Sequence, residues 1–589
     1  MTAAPLCRYA APGTEGELMM VFRLSVASAL ALALTCAAPT AADAVEPDAP
    51  DRLISRMEAT FVALHEELNG RAKKKLQLGK DELKGIAEYY RSPANLIWIR
   101  ESGLTDKSEA LRAVFSRADE FGLAAADYEI VEGAGFAKHS GYPAEWLADA
   151  ELRMSAAALG YARDAQSGRV VPTSLDKEFL DLTPARPDAK AVLKGIAEAG
   201  GKFGPFLESF HPVNEQFKLL KAKLAEVRSA LKSGAKPVRI PDGPALGPNT
   251  YHPHVSLLRA RFSIPPSASA PNGNAAEYYD EALASAVRAF QASKGVKADG
   301  VIGRGTRDLL NEGSVAVSTG TILANMERWR WEPRDMGDHH VWINLPEFMF
   351  RVIKGGRTIH EERIVAGSPK NPTPIFSDEI EFVVFNPYWN VPKSILVNEI
   401  IPTMQGNPAY LSRNNIEVVW QGDRVVDPYM VDWFQVNPDK LSLRQIPGPG
   451  NALGQVKFLF PNKHAVYMHD TPTKQLFDKP VRAYSHGCMR VRNPLEFARL
   501  LLADQGWSDS RIRQTLETAN DEQVKLEKKV PVHITYFTLW VDKDGKMQSY
   551  RDIYGYDAAV RVALKIDSAK VVASTKTEDF DAGERGLRN

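Results

Sequence analysis

The sequence predicts a multidomain α+β protein, and three observations carry that prediction. From about Asp51 to Ser233, apolar residues recur at spacings of three and four, in Met57, Phe61, Leu64 and Leu68 and again in Leu111, Val114, Phe115 and Ala118, the period of amphipathic helices. From about His340 onward the pattern changes to short runs rich in β-branched and aromatic residues, broken by Pro and Gly. At 589 residues the chain is also too long for one core, and roughly one domain per 150 residues suggests three or four.

Composition narrows the function. Lys and Arg total 73 against 73 for Asp and Glu, so bulk charge argues for neither nucleic acid nor a polyanionic surface. Residues 19–44 begin basic at Arg23, run apolar from Leu24 to about Leu34, and end on small residues at Ala42 and Ala44. This is the layout of a secretory signal with an A-x-A cleavage site, residues 1–18 reading as an upstream extension before Met19 or Met20. The apolar run is short for a bilayer span, and no later stretch reaches about 18 apolar residues. An exported chain without a stable transmembrane span is expected. Cys36 lacks the small preceding residue expected of a lipidated cysteine.

Helix punctuation at Ser92-Pro93, Ser102-Gly103 and Phe121-Gly122 divides a helical scaffold over about 45–250, read as having no chemistry of its own. Two Ser-x-x-Lys pairs, Ser174 with Lys177 and Ser233 with Lys236, lack the companion motifs of a serine acyltransferase. Pro- and Gly-rich stretches at 236–253 and 264–275 read as a linker and a long loop. A compact unit over about 251–313 follows. A helix at 282–294 carries Phe290 and Gln291, then come a Gly295-Val296 turn, Asp299-Gly300-Val301-Ile302-Gly303, and Thr306 as the N-cap of a second helix. On the residues alone, this is a helix-turn-helix with an Asp-Gly turn.

After a loop at Ser314 to Gly320, strands are expected at 340–345, 348–353, 362–366, 380–385 and 389–391, with turns at Gly355-Gly356 and Gly367-Ser368-Pro369. Val456 to Tyr467 leads into the densest motif, a helix is expected at 494–502, and another strand at 531–541. Residues 394–454 interrupt the strand signal and read as an inserted cap that could gate a site. Asp542-Lys543-Asp544-Gly545 is shorter than a calcium loop and reads as a hairpin turn.

The chemistry concentrates in Tyr467 to Arg492, YMHDTPTKQLFDKPVRAYSHGCMRVR, where fifteen residues separate His469 from Ser485-His486-Gly487-Cys488. Thiol catalysis needs a thiolate, an imidazole to take its proton, and N–H groups aimed at an oxyanion. Gly487 allows a tight turn that could present such N–H groups. With Cys7 and Cys36 in or before the signal, Cys488 is the one thiol of the mature chain, and an unpaired cysteine in an oxidising compartment suggests a reactive thiol rather than a small buried hydrophobe. His252 with His254 and His339 with His340 lack companion ligands at metal spacing, so neither metal nor cofactor is expected.

Two stretches resemble known families. The order of Phe290, Gln291, Asp299, Gly300, Gly303 and Thr306 is similar to the peptidoglycan-binding helical module, over about 30 residues. His469, the fifteen-residue gap, Ser485-His486-Gly487-Cys488 and Arg490 resemble the L,D-transpeptidase catalytic domain of the YkuD type, here over about 321–556, with 557–589 as a tail. The layout is similar to the long Gram-negative members. This resemblance implies a two-step acyl transfer on peptidoglycan stem peptides, as donor and acceptor. Cys488 would attack the carbonyl between a third stem residue, usually meso-diaminopimelate, and terminal D-Ala, and an amine of another stem would take the acyl group as a 3→3 cross-link. His469 would move the proton, the Asp470 carbonyl would orient the ring with its carboxylate as a possible further hold, and the Gly487 and Cys488 amides would form the oxyanion hole. Ser485, His486, Arg490, Tyr467 and Trp389 would order the loop or bind substrate, although Arg490 and His486 also have plain structural readings. Carbapenems would acylate Cys488 and ordinary penicillins would do so poorly. Water as acceptor, an outer-membrane lipoprotein lysine as acceptor, activating wall enzymes as partners, and an idle wall-binding protein remain alternatives. Papain-like and NlpC-type peptidases place cysteine before histidine, the opposite order.

Overall fold

The computed structural model describes residues 59–566 except 61, 66–77, 93–94, 101–102, 129–142, 233–239, 242, 294–295, 313–318 and 421–423. The expected export signal with Cys7 and Cys36, Met57, Phe61 and Leu68 of the first apolar stripe, the pair Ser233 and Lys236, and residues 567–589 lie outside the described residues.

The front of the chain is helical, as its periodicity predicts. Helices Lys80–Tyr89, Asp106–Ser116, Ala144–Ser167 and Ala189–Glu198 pack around one apolar core. Leu111, Val114, Phe115 and Ala118 all face that core, the i, i+3, i+4 stripe doing what its spacing requires. Glu151, fully buried on the longest of these helices, accepts N–H bonds from Ile97, Trp98 and Ile99 and so pins the chain entering a two-residue hairpin.

The helical module has its own core of Ile240, Leu246, Val255, Leu258, Tyr279, Leu283, Val287, Ile302 and Leu310. The expected linker therefore belongs in part to the module, since Leu246 exchanges both backbone hydrogen bonds with Ile302, at 3.2 and 2.7 Å. Gln291 is buried. Its Nε2 donates to Asp299 Oδ1, the Val301 carbonyl and Thr306 Oγ1, and its Oε1 accepts the Gly300 N–H. The motif residues are thus the module's internal staple. Thr306 is not an N-cap: the helix begins at Arg304, and the Thr306 hydroxyl bonds back to Val301.

The C-terminal half is built on a nine-stranded sheet, β1 His339–Asn344, β2 Met349–Lys354, β3 Arg357–Gly367, β4 Ser377–Phe385, β5 Val456–Leu459, β6 Met468–His469, β7 Ala483–Ser485, β8 Met489–Val491 and β9 Glu522–Thr535. Its order is β7-β3-β8-β6-β5-β4-β9-β1-β2, and β3 also pairs β2, so the sheet closes on itself. Gly355 and Gly356 both adopt positive φ, as the two-residue β2–β3 hairpin demands. The inner face packs Val341, Ile343, Phe350, Val383, Phe385, Phe458, Met468 and Met489 against helix Pro494–Leu502.

Three boundaries differ from expectation. Thr319 and Gly320 start helix Thr319–Trp329 rather than ending a loop. Trp389–Asn390 pairs Leu441–Gln445 inside the four-stranded sheet of the insertion, so the strand expected in the main sheet opens the cap instead. That insertion has a core of its own, including Leu396, Met404, Leu411, Val418, Trp433 and Leu443, and a core of that kind turns an interrupted strand pattern into a small folded unit. Helix Tyr556–Ala563 is not tail: Val560 and Leu564 join the main core.

The helical half and the sheet share apolar clusters. Val170, Leu180 and Leu182 sit in the core of the sheet, and Phe217, Leu220 and Leu224 of helix Glu215–Lys232 pack with Trp342 and Phe537. Asp542 to Gly545 is the expected hairpin turn, with Gly545 at φ 73°.

Candidate active site

Strand register assembles the site. β6 and β8 run parallel with Met468 opposite Met489 and His469 opposite Arg490. Side chains alternate along a strand, so fully buried Met468 and Met489 point into the core, and Tyr467, His469, Cys488 and Arg490 share the other face. The Met489 N–H donates to the Tyr467 carbonyl at 3.0 Å, which sets Tyr467 beside Cys488. Nineteen positions apart in sequence, His469 on β6 and Cys488, the residue that enters β8, thus lie toward the same face of two neighbouring strands.

The turn before Cys488 is held from several sides. Gly487 has φ 108°, a conformation that disfavours any side chain. The buried Ser485 hydroxyl donates to the Cys488 carbonyl at 2.5 Å and accepts the Gly487 N–H at 3.2 Å. Ser485 therefore orders the turn, and the Gly487 N–H is directed to it in this resting arrangement. Thr373 Oγ1 donates to the Gly487 carbonyl at 2.7 Å and accepts the Gly367 N–H at 2.9 Å. Tyr554 completes the brace, donating to the Gly367 carbonyl at 2.8 Å and accepting the Thr373 N–H at 3.2 Å.

His469 is buried, and its Nδ1 lies 2.5 Å from the Asp470 carbonyl oxygen. With Nδ1 protonated and donating there, Nε2 is left as the proton acceptor. The Asp470 carboxylate does not hold the ring. It accepts the Gln455 N–H at 2.9 Å, the Thr471 N–H at 2.7 Å and the Lys474 ammonium, so it fixes the turn whose carbonyl aims the imidazole. Gly454, at φ 60°, makes room: a Cβ there would lie 2.2 Å from Asp470 Oδ2.

Burial dominates the protonation of both groups. It pushes the Cys488 thiol up to about 11 despite opposing hydrogen bonds from the Tyr467 N–H and hydroxyl and the Arg490 charge. It pushes His469 down to about 3, with Arg490 adding repulsion and the Asp470 carbonyl opposing. The resting pair is a neutral thiol and a neutral imidazole. Tyr467, raised by burial and by Cys488, keeps its proton and donates it toward sulfur.

Arg490 donates from Nη1 to Thr473 Oγ1 at 3.0 Å, its buried Nε has no acceptor, and it makes no ion pair among the described residues. His486 reaches across to the insertion, its Nε2 2.8 Å from Glu399 Oε1, with both side chains about half exposed. Trp389 stands at the base of the insertion in its own sheet. Thr373, Tyr554, Gly454 and Glu399 escaped the sequence reading because each reaches the site through a tertiary contact that no local pattern marks, and Lys474, four residues after Asp470, because no sequence pattern assigned the Asp470 carboxylate a structural job.

Comparison with known proteins agrees with this layout. Residues 338–555 match the L,D-transpeptidase catalytic domain family, residues 84–224 a scaffold domain family, and residues 260–310 a peptidoglycan-binding domain family. A Haemophilus influenzae protein classed as a candidate L,D-transpeptidase is 32% identical over 248 residues, 42% of this chain and 50% of that protein, so the chain spans about half the length of this curated relative. Solved structures of L,D-transpeptidases from Xylanimonas cellulosilytica and Mycobacterium smegmatis also match, at 15% and 12% identity. They cover 50% and 34% of this chain and 99% and 58% of theirs, each with a TM-score of 0.16, and likeness at that level carries no functional weight.

Proposed function

We propose, from a chain whose residues 338–555 carry the L,D-transpeptidase catalytic domain, that it is a periplasmic peptidoglycan L,D-transpeptidase working through a Cys488 acyl-enzyme. The observation that carries this reading is the His469 imidazole oriented by the Asp470 carbonyl at 2.5 Å, on the sheet face that also bears Cys488.

The chemistry follows from the protonation states. Because thiol and imidazole both rest neutral, the proton passes from Sγ to His469 Nε2 as sulfur bonds to the donor carbonyl carbon, so the thiolate does not accumulate beforehand. Collapse of the tetrahedral intermediate breaks the bond to terminal D-Ala, whose nitrogen takes the proton back from His469. A side-chain amine of an acceptor stem then attacks the thioester, gives up its proton to His469, and leaves a 3→3 amide with the Cys488 thiol restored. The Cys488 N–H and a Gly487 N–H released from Ser485 stabilise the oxyanion. Arg490, a half-buried cation without a carboxylate partner among the described residues, is suited to a carboxylate of the stem.

The test is incubation with a purified disaccharide-tetrapeptide followed by mass spectrometry, with Cys488→Ala in parallel. A dimer lacking one D-Ala, formed only with the thiol present, is expected. Tripeptide without dimer would turn the reading to a hydrolase, or to a transferase whose acceptor is a lipoprotein lysine. Activity retained by Cys488→Ala would sink it.

A further inference from the structure

The helical half supplies a wall beside the nucleophile turn. After the short helix Pro172–Leu175 the chain runs along Ile375: the Ile375 N–H donates to the Phe179 carbonyl at 2.8 Å, and the Asp181 N–H to the Ile375 carbonyl at 3.0 Å, a parallel bridge at Leu180. Leu180 is buried in the core of the sheet. Asp181 is clamped from the other side by Lys463 Nζ at 2.7 Å and His464 Nε2 at 2.9 Å. The Asp176 carboxylate accepts the Glu178 and Phe179 N–H groups at 3.0 Å each and the Tyr556 hydroxyl at 3.1 Å. Lys177 and Glu178 are therefore exposed side chains on a fixed turn.

That turn borders a cleft of about 430 Å³ whose far wall is the nucleophile turn, for Lys177, Glu178, Pro372 and Lys463 line it together with His486 and Gly487. The charge of Asp181 is already engaged by Lys463 and His464. Lys177 forms no ion pair among the described residues. The cleft thus offers an ammonium and a carboxylate side by side, one residue from Cys488. A simple anion would meet Glu178 and a simple cation would meet Lys177, whereas a group bearing both charges satisfies both.

We propose that this cleft is a subsite for a free amino-acid head, ammonium and carboxylate on one carbon, carried on the side chain of a stem peptide. Lys177 holds its carboxylate and Glu178 its ammonium group. The inference rests on the peptidoglycan reading above and gives the helical half a share in substrate selection.

The experiment compares D-Ala release by the full chain from two tetrapeptide stems, one with the side-chain carboxylate free and one with it amidated, for the wild type and Lys177→Ala. The wild type should prefer the free carboxylate by about tenfold in kcat/KM, the scale of one charge-assisted hydrogen bond. Lys177→Ala should treat the two stems alike, at the amidated rate, with its melting temperature unmoved because Lys177 is exposed. A wild type without preference, or a variant that keeps the full preference, overturns the subsite alone, since D-Ala release would still stand. No release from either stem by the wild type would remove the peptidoglycan reading and the subsite with it.

Discussion

Burial sets the reactivity of Cys488 before any substrate arrives. With the thiol pushed up to about 11, alkylation by iodoacetamide should be slow at pH 7 and rise about tenfold per pH unit between 8 and 10; a plateau already reached by pH 8 would contradict the neutral-pair account. His469 titrates near 3 when folded against 6.5 for the ordinary imidazole. The unfolded chain therefore binds the extra proton between those values, and stability falls as pH drops through that window. His469→Gln, which cannot take the proton, should lose less melting temperature than the wild type between pH 6.5 and 4. Asp470→Asn keeps the size but replaces one carboxylate oxygen by a donor, against three donors from Gln455, Thr471 and Lys474. We expect kcat to fall by about tenfold or more, the effect of weakening hydrogen bonds to a charged acceptor, with KM little changed. At this scale the candidate residues His469, Cys488 and the Asp470 carbonyl were readable as a motif because they fall within one short stretch, Tyr467 to Arg492. The job of the Asp470 carboxylate was not, because it depends on Gly454 and Gln455 in the turn that enters β5.

The turn bearing Cys488 is braced by an element far from it in sequence. Thr373→Val removes the donor to the Gly487 carbonyl and the acceptor for the Gly367 N–H, leaving two buried backbone groups unsatisfied. A loss of about 1–3 kcal/mol in stability, read from urea unfolding, is expected, and a loss below about 0.3 kcal/mol would show that the brace is unimportant. The insertion touches the same turn through His486 and Glu399, both half exposed, so Glu399→Gln should shift stability by no more than about 1 kcal/mol. The strands of the main sheet were readable because alternating β-branched residues face a core on one side. The strand at Trp389 was misplaced because two residues of pattern carry no information about which sheet they join. Helix Tyr556–Ala563 was cut by a boundary set after the last expected strand, at 531–541, although Val560 completes the core.

Across the molecule, the helical half and the sheet are one folding problem. Phe217, Leu220 and Leu224 each bury a full side chain against Trp342 and Phe537, worth roughly 1.5–3 kcal/mol apiece. A fragment starting at residue 321 would expose that face as well as the sites of Val170, Leu180 and Leu182, so it should be aggregation-prone in gel filtration where the longer chain is monodisperse. Such coupling is invisible in a sequence reading, which sees each amphipathic stripe without its partner. The account turns most directly on one measurement: intact-mass analysis of the full chain quenched during turnover with a tetrapeptide donor, followed by peptide mapping. An adduct on Cys488 with the mass of the donor less D-Ala is predicted. D-Ala released at full rate with no adduct on Cys488, or an adduct mapped to another residue, would contradict it.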